Sequence, residues 1–146
     1  MVTYMKTEKY WDGENWLRMV DSSNVIEYYL GDELHRNDGP AKKHYSMFGN
    51  VFLEIYYQNG LNHRENAPAQ FEYDENGEIE RKCYYHNGEK HRKDGPADIW
   101  YYDINETVLK QFFYYNGIEF DPNLLPFEMP IDNPEKEFYM KLKYGE

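Results

Sequence analysis

Aliphatic side chains, cysteine and serine are all scarce in this chain, and no long apolar run occurs. Leu, Ile and Val together number 21 in 146 residues, while Tyr, Phe and Trp number 27. No stretch of eighteen apolar residues exists, so no membrane-spanning helix is expected. Met1 to Trp11 carries charge and lacks a hydrophobic stretch, so no secretory signal is expected there. The single cysteine, Cys83, has no partner for an internal disulfide, which predicts a reducing, cytoplasmic setting. Basic residues are outnumbered, 16 Lys and Arg against 27 Asp and Glu, for a net charge of -11. Affinity for nucleic-acid backbones rests on clustered Lys and Arg, so direct nucleic-acid binding is not expected. Few aliphatics with high net charge is a pattern shared with disordered chains. An aromatic content of 18% argues instead for a folded one. The length suits one domain, or one with a small appendage.

What is present is an internal repeat. Tyr28-Tyr29-Leu30-Gly31 leads to His35-Arg36-Asn37-Asp38-Gly39-Pro40-Ala41. Tyr56-Tyr57-Gln58-Asn59-Gly60 leads to His63-Arg64-Glu65-Asn66-Ala67-Pro68-Ala69, and Tyr84-Tyr85-His86-Asn87-Gly88 to His91-Arg92-Lys93-Asp94-Gly95-Pro96-Ala97. A fourth start, Tyr114-Tyr115-Asn116-Gly117, runs into Asp121-Pro122 and loses the His-Arg pair. The histidines fall 28 residues apart, and a second turn marker, Met47-Phe48-Gly49 then Glu75-Asn76-Gly77, keeps the same step. Two interleaved markers on one period are not a chance pattern.

Each marker has a local meaning. Asn-Gly between Tyr and Ile runs predicts a tight hairpin, because both central residues need positive φ. Asp-Gly-Pro predicts a left-handed glycine followed by a proline that opens the next strand where no donor is needed. Ala67 replaces that glycine in the second copy, so it is strained by roughly 1–2 kcal/mol or the turn there has another shape. Asn50–Tyr57 and Glu78–Tyr85 read as eight-residue strands, with partners over Pro40–Tyr45, Pro68–Tyr73 and Pro96–Tyr102. The expected fold is all-β: a thin, single-layer antiparallel meander of about three and a half 28-residue hairpin units. Residues 1–120 form the repeat domain, with a half unit over 10–24, units over 25–52, 53–80 and 81–109, and a partial one over 110–120. Residues 121–146 read as a proline-rich segment and a short helix starting at Asn133-Pro134, which would cover an open sheet edge.

These motifs resemble the Tyr-x-Asn-Gly … His-Arg-x-Asp-Gly-Pro-Ala repeat proteins of bacteriophages and giant viruses. Those are similar in style to MORN repeats and to the MORN-like YwqK family of antitoxins. The resemblance covers about residues 25–120, with Ala67 and the Phe120-Asp121-Pro122 break as departures. It implies a hairpin-repeat scaffold used for binding, often virus-encoded, with no catalytic residues to carry over. The chain lacks the Gly-rich consensus of eukaryotic MORN repeats, so lipid binding is not inferred.

Chemistry can be weighed on the same residues. Successive repeat histidines stand two strands apart, about 9.5 Å, whereas zinc needs nitrogens about 2.0–2.1 Å from one ion. No metal site is therefore expected, and each His-Arg pair is expected to close its own loop. The imidazole would bond a turn carbonyl, and Arg36, Arg64 or Arg92 a nearby carboxylate. His-Arg-x-Asp has a kinase-like look, but the glycine-rich loop and lysine strand that chemistry needs are missing. The carboxylate pairs Glu72/Asp74 and Glu78/Glu80 lie one strand face each; solvated surface is the commoner reason for such spacing. Neither a catalytic site nor a cofactor is expected. His35, Arg36, Asp38, Gly39, His63, Arg64, His91, Arg92, Asp94 and Gly95 are assigned to structure. The expected activity is non-enzymatic binding of another protein, such as a host defence factor inhibited by a viral protein. Candidate contacts are Tyr28, Tyr56, Tyr84 and Tyr114, with Phe138 and Tyr139 in the tail. An acidic nucleic-acid mimic and a carbohydrate-binding module are the alternatives, and an exposed edge at either end offers a place for a homodimer.

Overall fold

A computed structural model describes residues 5–102, 105 and 107–123. The proline-rich tail beyond Asn123, the helix expected from Asn133, and the candidate contacts Phe138 and Tyr139 lie outside the described residues. Within them all regular structure is strand, and antiparallel throughout.

The chain opens with a hairpin of β1 (Met5–Trp11) and β2 (Trp16–Ser22). Long strands follow: β3 (Val25–Leu30), then, past a two-residue β4 (Glu33–Leu34), β5 (Lys42–Tyr45) and β6 (Val51–Ile55). The small pair β7 (Tyr57–Gln58) and β8 (Leu61–Asn62) precedes β9 (Gln70–Tyr73) and β10 (Ile79–Cys83). Another small pair, β11 (Tyr85–His86) and β12 (Glu89–Lys90), precedes β13 (Asp98–Tyr101). β14 (Val108–Tyr115) and β15 (Ile118–Phe120) close the described chain. Leaving out the small strands, neighbours in the open sheet follow chain order from β1 to β15.

The eight-residue strands expected over 50–57 and 78–85 are interrupted, and the tyrosine of each copy is the point of change. Upstream of Tyr56 the chain pairs with β9; downstream it pairs with β8. The Tyr56 amide donates to the Ala69 carbonyl at 2.7 Å, while its carbonyl accepts from His63 N at 3.1 Å. Tyr84 repeats this with Ala97 at 2.7 Å and His91 at 3.1 Å. A unit is therefore two long strands plus a small hairpin, rather than two strands and two turns. The hairpins stack into a second column beside the sheet.

Burial collects along the seam between the two columns. Ala41, Ala69 and Ala97 are completely buried, and Ile55 and Cys83 are buried one residue before the tyrosines. A single layer leaves most sheet residues half exposed, so this seam is where side chains close-pack. At the opposite end of the long strands, Gly49 and Gly77 take φ of 87° and 84° in the second turns. Strand register slips at Tyr45, beside Tyr73 and at Tyr101, the same place in each unit.

The fourth start aligns differently from its sequence. Arg36, Arg64 and Arg92 donate their amides to Tyr57, Tyr85 and Tyr114 respectively. Tyr114 therefore occupies the place of Tyr57 and Tyr85, and Phe113 that of Tyr56 and Tyr84. Tyr114 is not the equivalent of Tyr28, Tyr56 and Tyr84.

Candidate functional site

The Asn-Gly turns have the backbone expected of them: Asn59, Asn87 and Asn116 take φ of 49°, 48° and 46°, and each following glycine is also positive. What the left-handed asparagine does was not expected. Its amide points at the preceding unit, where the histidine Nδ1 accepts it. The distances are 3.1 Å from Asn59 N to His35, 3.0 Å from Asn87 N to His63, and 3.0 Å from Asn116 N to His91. The imidazole thus bonds the next copy's amide instead of a carbonyl of its own turn. Two backbone bonds flank each such stitch, including Gly60 N to Leu34 O, Gly88 N to Asn62 O and Gly117 N to Lys90 O, all 2.9 Å.

Arginine does close its own loop, as expected, though not always through a carboxylate. Arg36, Arg64 and Arg92 donate from Nη1 to the carbonyls of Pro40, Pro68 and Pro96. Their guanidinium carbons lie 4.2, 4.0 and 4.1 Å from the ring centres of Tyr28, Tyr56 and Tyr84. Arg36 and Arg92 also hold Asp38 and Asp94 from Nε; Arg64 has no such partner. Gly39 and Gly95 are needed for space, not for positive φ. A Cβ at either would sit 3.1 or 3.2 Å from the Arg36 or Arg92 Cζ. In the second copy it is Asn66 that turns left-handed, with φ of 55°, so the loop takes another shape around Ala67.

Two clefts result, each between consecutive His-Arg loops. One, of about 470 Å³, runs from Arg36 and Asp38 to Tyr56, His63 and Arg64. The other, of about 450 Å³, runs from Arg64 and Glu65 to Tyr84, His91 and Lys93. The β1–β2 turn abuts the front of this row. Asp12 accepts the Glu14 and Asn15 amides and, from the first loop, Asn37 N at 2.9 Å. Burial opposes the Asp12 charge, but these three amides outweigh it and lower its pKa. Beside that turn Trp11 and Trp16 pair at 5.4 Å and remain largely exposed.

Among the tyrosines expected to contact a partner, Tyr56 and Tyr84 line the clefts. Tyr28 is only 8% exposed, wedged between Arg36 and Tyr10. Tyr114 lies under Lys90 and donates to Glu119. The sequence reading singled out neither the tryptophan pair nor His86.

His86 belongs to the cluster in which metal-ligand atoms come together. Donor atoms of His63, Glu65 and His86 lie within 4.8 Å of one another. A metal would take the His63 ring through Nε2, yet Nδ1 already spends its lone pair on Asn87 N. The neutral ring therefore carries its proton on Nε2 and donates to Glu65 at 3.0 Å. Metal-bound histidines do the reverse, donating from the second nitrogen. The cluster is a hydrogen-bonded pair with a neighbouring ring.

Of the two carboxylate pairs the first is held by its neighbours, while Glu78 and Glu80 are exposed. Glu72 accepts from Arg81 and Gln70, and Asp74 accepts the Asn76 and Glu78 amides. Cys83 is fully buried, and burial, with Asp98 nearby, pushes its thiol up to about 12. Asp98 is itself buried. Burial raises its pKa, but a two-pronged grip from Arg81 and a bond from Lys90 outweigh this and hold it at about 2. That carboxylate joins β12 in the hairpin column to β10 in the sheet.

Comparison of the chain with protein-family models, with curated proteins and with solved structures found no match.

Proposed function

We propose that this chain is a non-enzymatic repeat scaffold, a single-layer meander of about three and a half 28-residue hairpin units, that binds another protein along the margin of its hairpin column. One observation carries the reading: Tyr56, Tyr84 and the three loop arginines line two neighbouring clefts along that margin, and the exposed Trp11–Trp16 pair stands beside the β1–β2 turn that abuts the row. Trp, Tyr and Arg are the residue types that dominate binding energy at protein interfaces. The resemblance of the repeats to viral and phage sequences suggests an inhibitor of a host factor, working in the host cytoplasm.

The acidic-mimic alternative calls for carboxylates in unbroken rows. Here they interleave with cations across the sheet, Glu27 with Lys42 at 2.9 Å, Glu54 with Lys43 at 3.2 Å, and Glu72 with Arg81 at 2.9 Å. A photo-crosslinking side chain at His86 in the cleft, and another at Asn76 in the far turns, tests the reading in host lysate. Capture of a protein from position 86 alone, weakened only modestly at high salt, is the expected result. Capture that collapses with salt points to mimicry, and displacement by soluble glycans points to sugar binding.

A further inference from the structure

The three His-Arg loops differ in one respect that bears on what the clefts take. At Arg36 each guanidinium nitrogen has a partner: Nε bonds Asp38 at 2.6 Å, Nη1 the Pro40 carbonyl at 3.4 Å, and Nη2 the Tyr10 hydroxyl at 2.9 Å. Arg92 bonds Asp94 at 3.0 Å and the Pro96 carbonyl at 3.1 Å. Arg64 keeps only the carbonyl bond, to Pro68 at 3.2 Å, and its seat over Tyr56. The aspartate of the outer loops is Asn66 in the middle one, and among the described residues no carboxylate lies within ion-pair distance of Arg64. It is also the arginine that lines both clefts.

The 450 Å³ cleft beside it has donors to spare. Of the two carboxylates on its walls, Glu65 accepts from His63 and Asp94 from Arg92. Across the cleft stand Lys93 and His91. The His91 Nδ1 is held by the Asn116 amide at 3.0 Å, so its neutral ring presents Nε2–H as a donor. A guanidinium with Nε and Nη2 unspent, an imidazole and an ammonium line one cleft whose two carboxylates are already engaged. This occurs on a chain whose net charge is -11.

We propose that Arg64 is the anchor of the interface and takes a carboxylate, an Asp or Glu side chain of the partner protein, in the cleft it shares with His91 and Lys93. The proposal rests on the protein-binding reading above and names the partner chemistry. Guanidinium and carboxylate match as two parallel hydrogen bonds. The Asp-to-Asn change at position 66 leaves that fork open, where Asp38 and Asp94 occupy it in the outer loops.

The decisive variant is Asn66→Asp made in an Ala67→Gly background, which gives the middle loop the outer loops' own Asp-Gly-Pro in place of its left-handed Asn66 and should satisfy Arg64 within the chain. An acetylated, amidated hexapeptide with one central glutamate, its glutamine twin, and inorganic phosphate serve as probes. The Arg64 Nε–H resonance is the readout. The glutamate peptide should move that resonance in the wild type and the glutamine peptide should not. Asn66→Asp should weaken the effect by roughly tenfold or more while the melting temperature holds or rises. Arg64→Gln should abolish the effect, and if that variant fails to fold, Asn66→Asp decides alone. Equal response to both peptides, or an Asn66→Asp variant that binds like the wild type, overturns the proposal. So does a resonance that answers only to phosphate. Partner capture from position 86 that persists in Asn66→Asp removes the anchor and leaves the protein-binding reading standing. Absence of capture in the wild type removes that reading itself.

Discussion

The sheet and the hairpin column run side by side on the same 28-residue step, yet they are joined by different chemistry. Long strands meet through backbone ladders that many side chains would permit, and their cross-strand neighbours vary: Lys42 opposite Ile55, Gln70 opposite Cys83, Asp98 opposite Phe112. The hairpins offer paired strands of two or three residues, too short to hold one another by ladder alone. Their junctions therefore use a side chain, the histidine, whose acceptor nitrogen meets the amide of the next left-handed asparagine. The rule has a beginning and an end. No histidine precedes the first hairpin, and its turn is Gly31-Asp32 rather than Asn-Gly. The last described hairpin carries Phe120 and Asp121 where His91 and Arg92 stand one unit earlier, so the imidazole that accepts the next asparagine amide is missing there. The column states its own length in side chains, while the sheet merely follows.

The contrast can be broken hardest at Asp98, the carboxylate that joins the two columns. Asp98→Ala strands Arg81 and Lys90 together. It should cost roughly 2–3 kcal/mol by chemical denaturation, below the fully buried range because both cations keep some solvent. The same site sets an acid limit. Its folded pKa of about 2 lies under the ordinary 3.8, so its contribution is complete above 3.8 and lost as the pH falls through 2.

A substitution confined to the column should cost less. His35→Phe imitates the natural terminator and leaves the Asn59 amide without its acceptor, for roughly 1–2 kcal/mol. The loss is tempered because His35 Nε2 is itself buried without a partner. Hydrogen exchange should show the Asn59 amide opening while the β5–β6 ladder stays protected. Uniform loss of protection would mean that sheet and column are one cooperative unit.

Acid should act on the column before the sheet. Burial foremost, then His86 and Lys93 nearby, lowers the His91 pKa below 6.5, with Glu89 opposing. Its neutral form is thus favoured by folding, and that stability is present above pH 6.5 and lost as pH falls through the lower folded value. Protonation also removes the acceptor for Asn116 N, so this amide should exchange faster at mildly acid pH than Tyr102 N in the sheet turns.

The smallest effect is expected at Gly95→Ala, below about 1 kcal/mol, because the flexible Arg92 end can yield. Its Cβ would meet Cζ at 3.2 Å, so the Arg92–Asp94 bond should weaken in the Arg92 Nε–H spectrum. A loss well above that size would restore the conformational explanation for this glycine.

Much of this was legible from spacing. The 28-residue step, the Asn-Gly turns and the all-strand architecture follow from local backbone preference, and local preference is what a one-dimensional pattern records. The stitch was legible in principle: His35 to Asn59 and His63 to Asn87 are each 24 residues apart, and the turn after Tyr28-Tyr29, which lacks Asn-Gly, has no histidine before it. The tyrosines misled because repetition looks alike whether a ring faces a partner or lies beneath an arginine. Gly39 misled because a glycine beside a proline suggests backbone freedom, while its use is room for a guanidinium.

By itself the sequence determined how many units there are, where they turn and where the series stops. Those depend on φ preferences and on which residue types can accept a hydrogen bond. Only the tertiary structure decided that each long strand changes partner at its tyrosine and that Arg64 is left without a carboxylate. It also decided that two clefts open on one margin. Each of these depends on groups separated along the chain meeting in space, and a repeat pattern carries no distances.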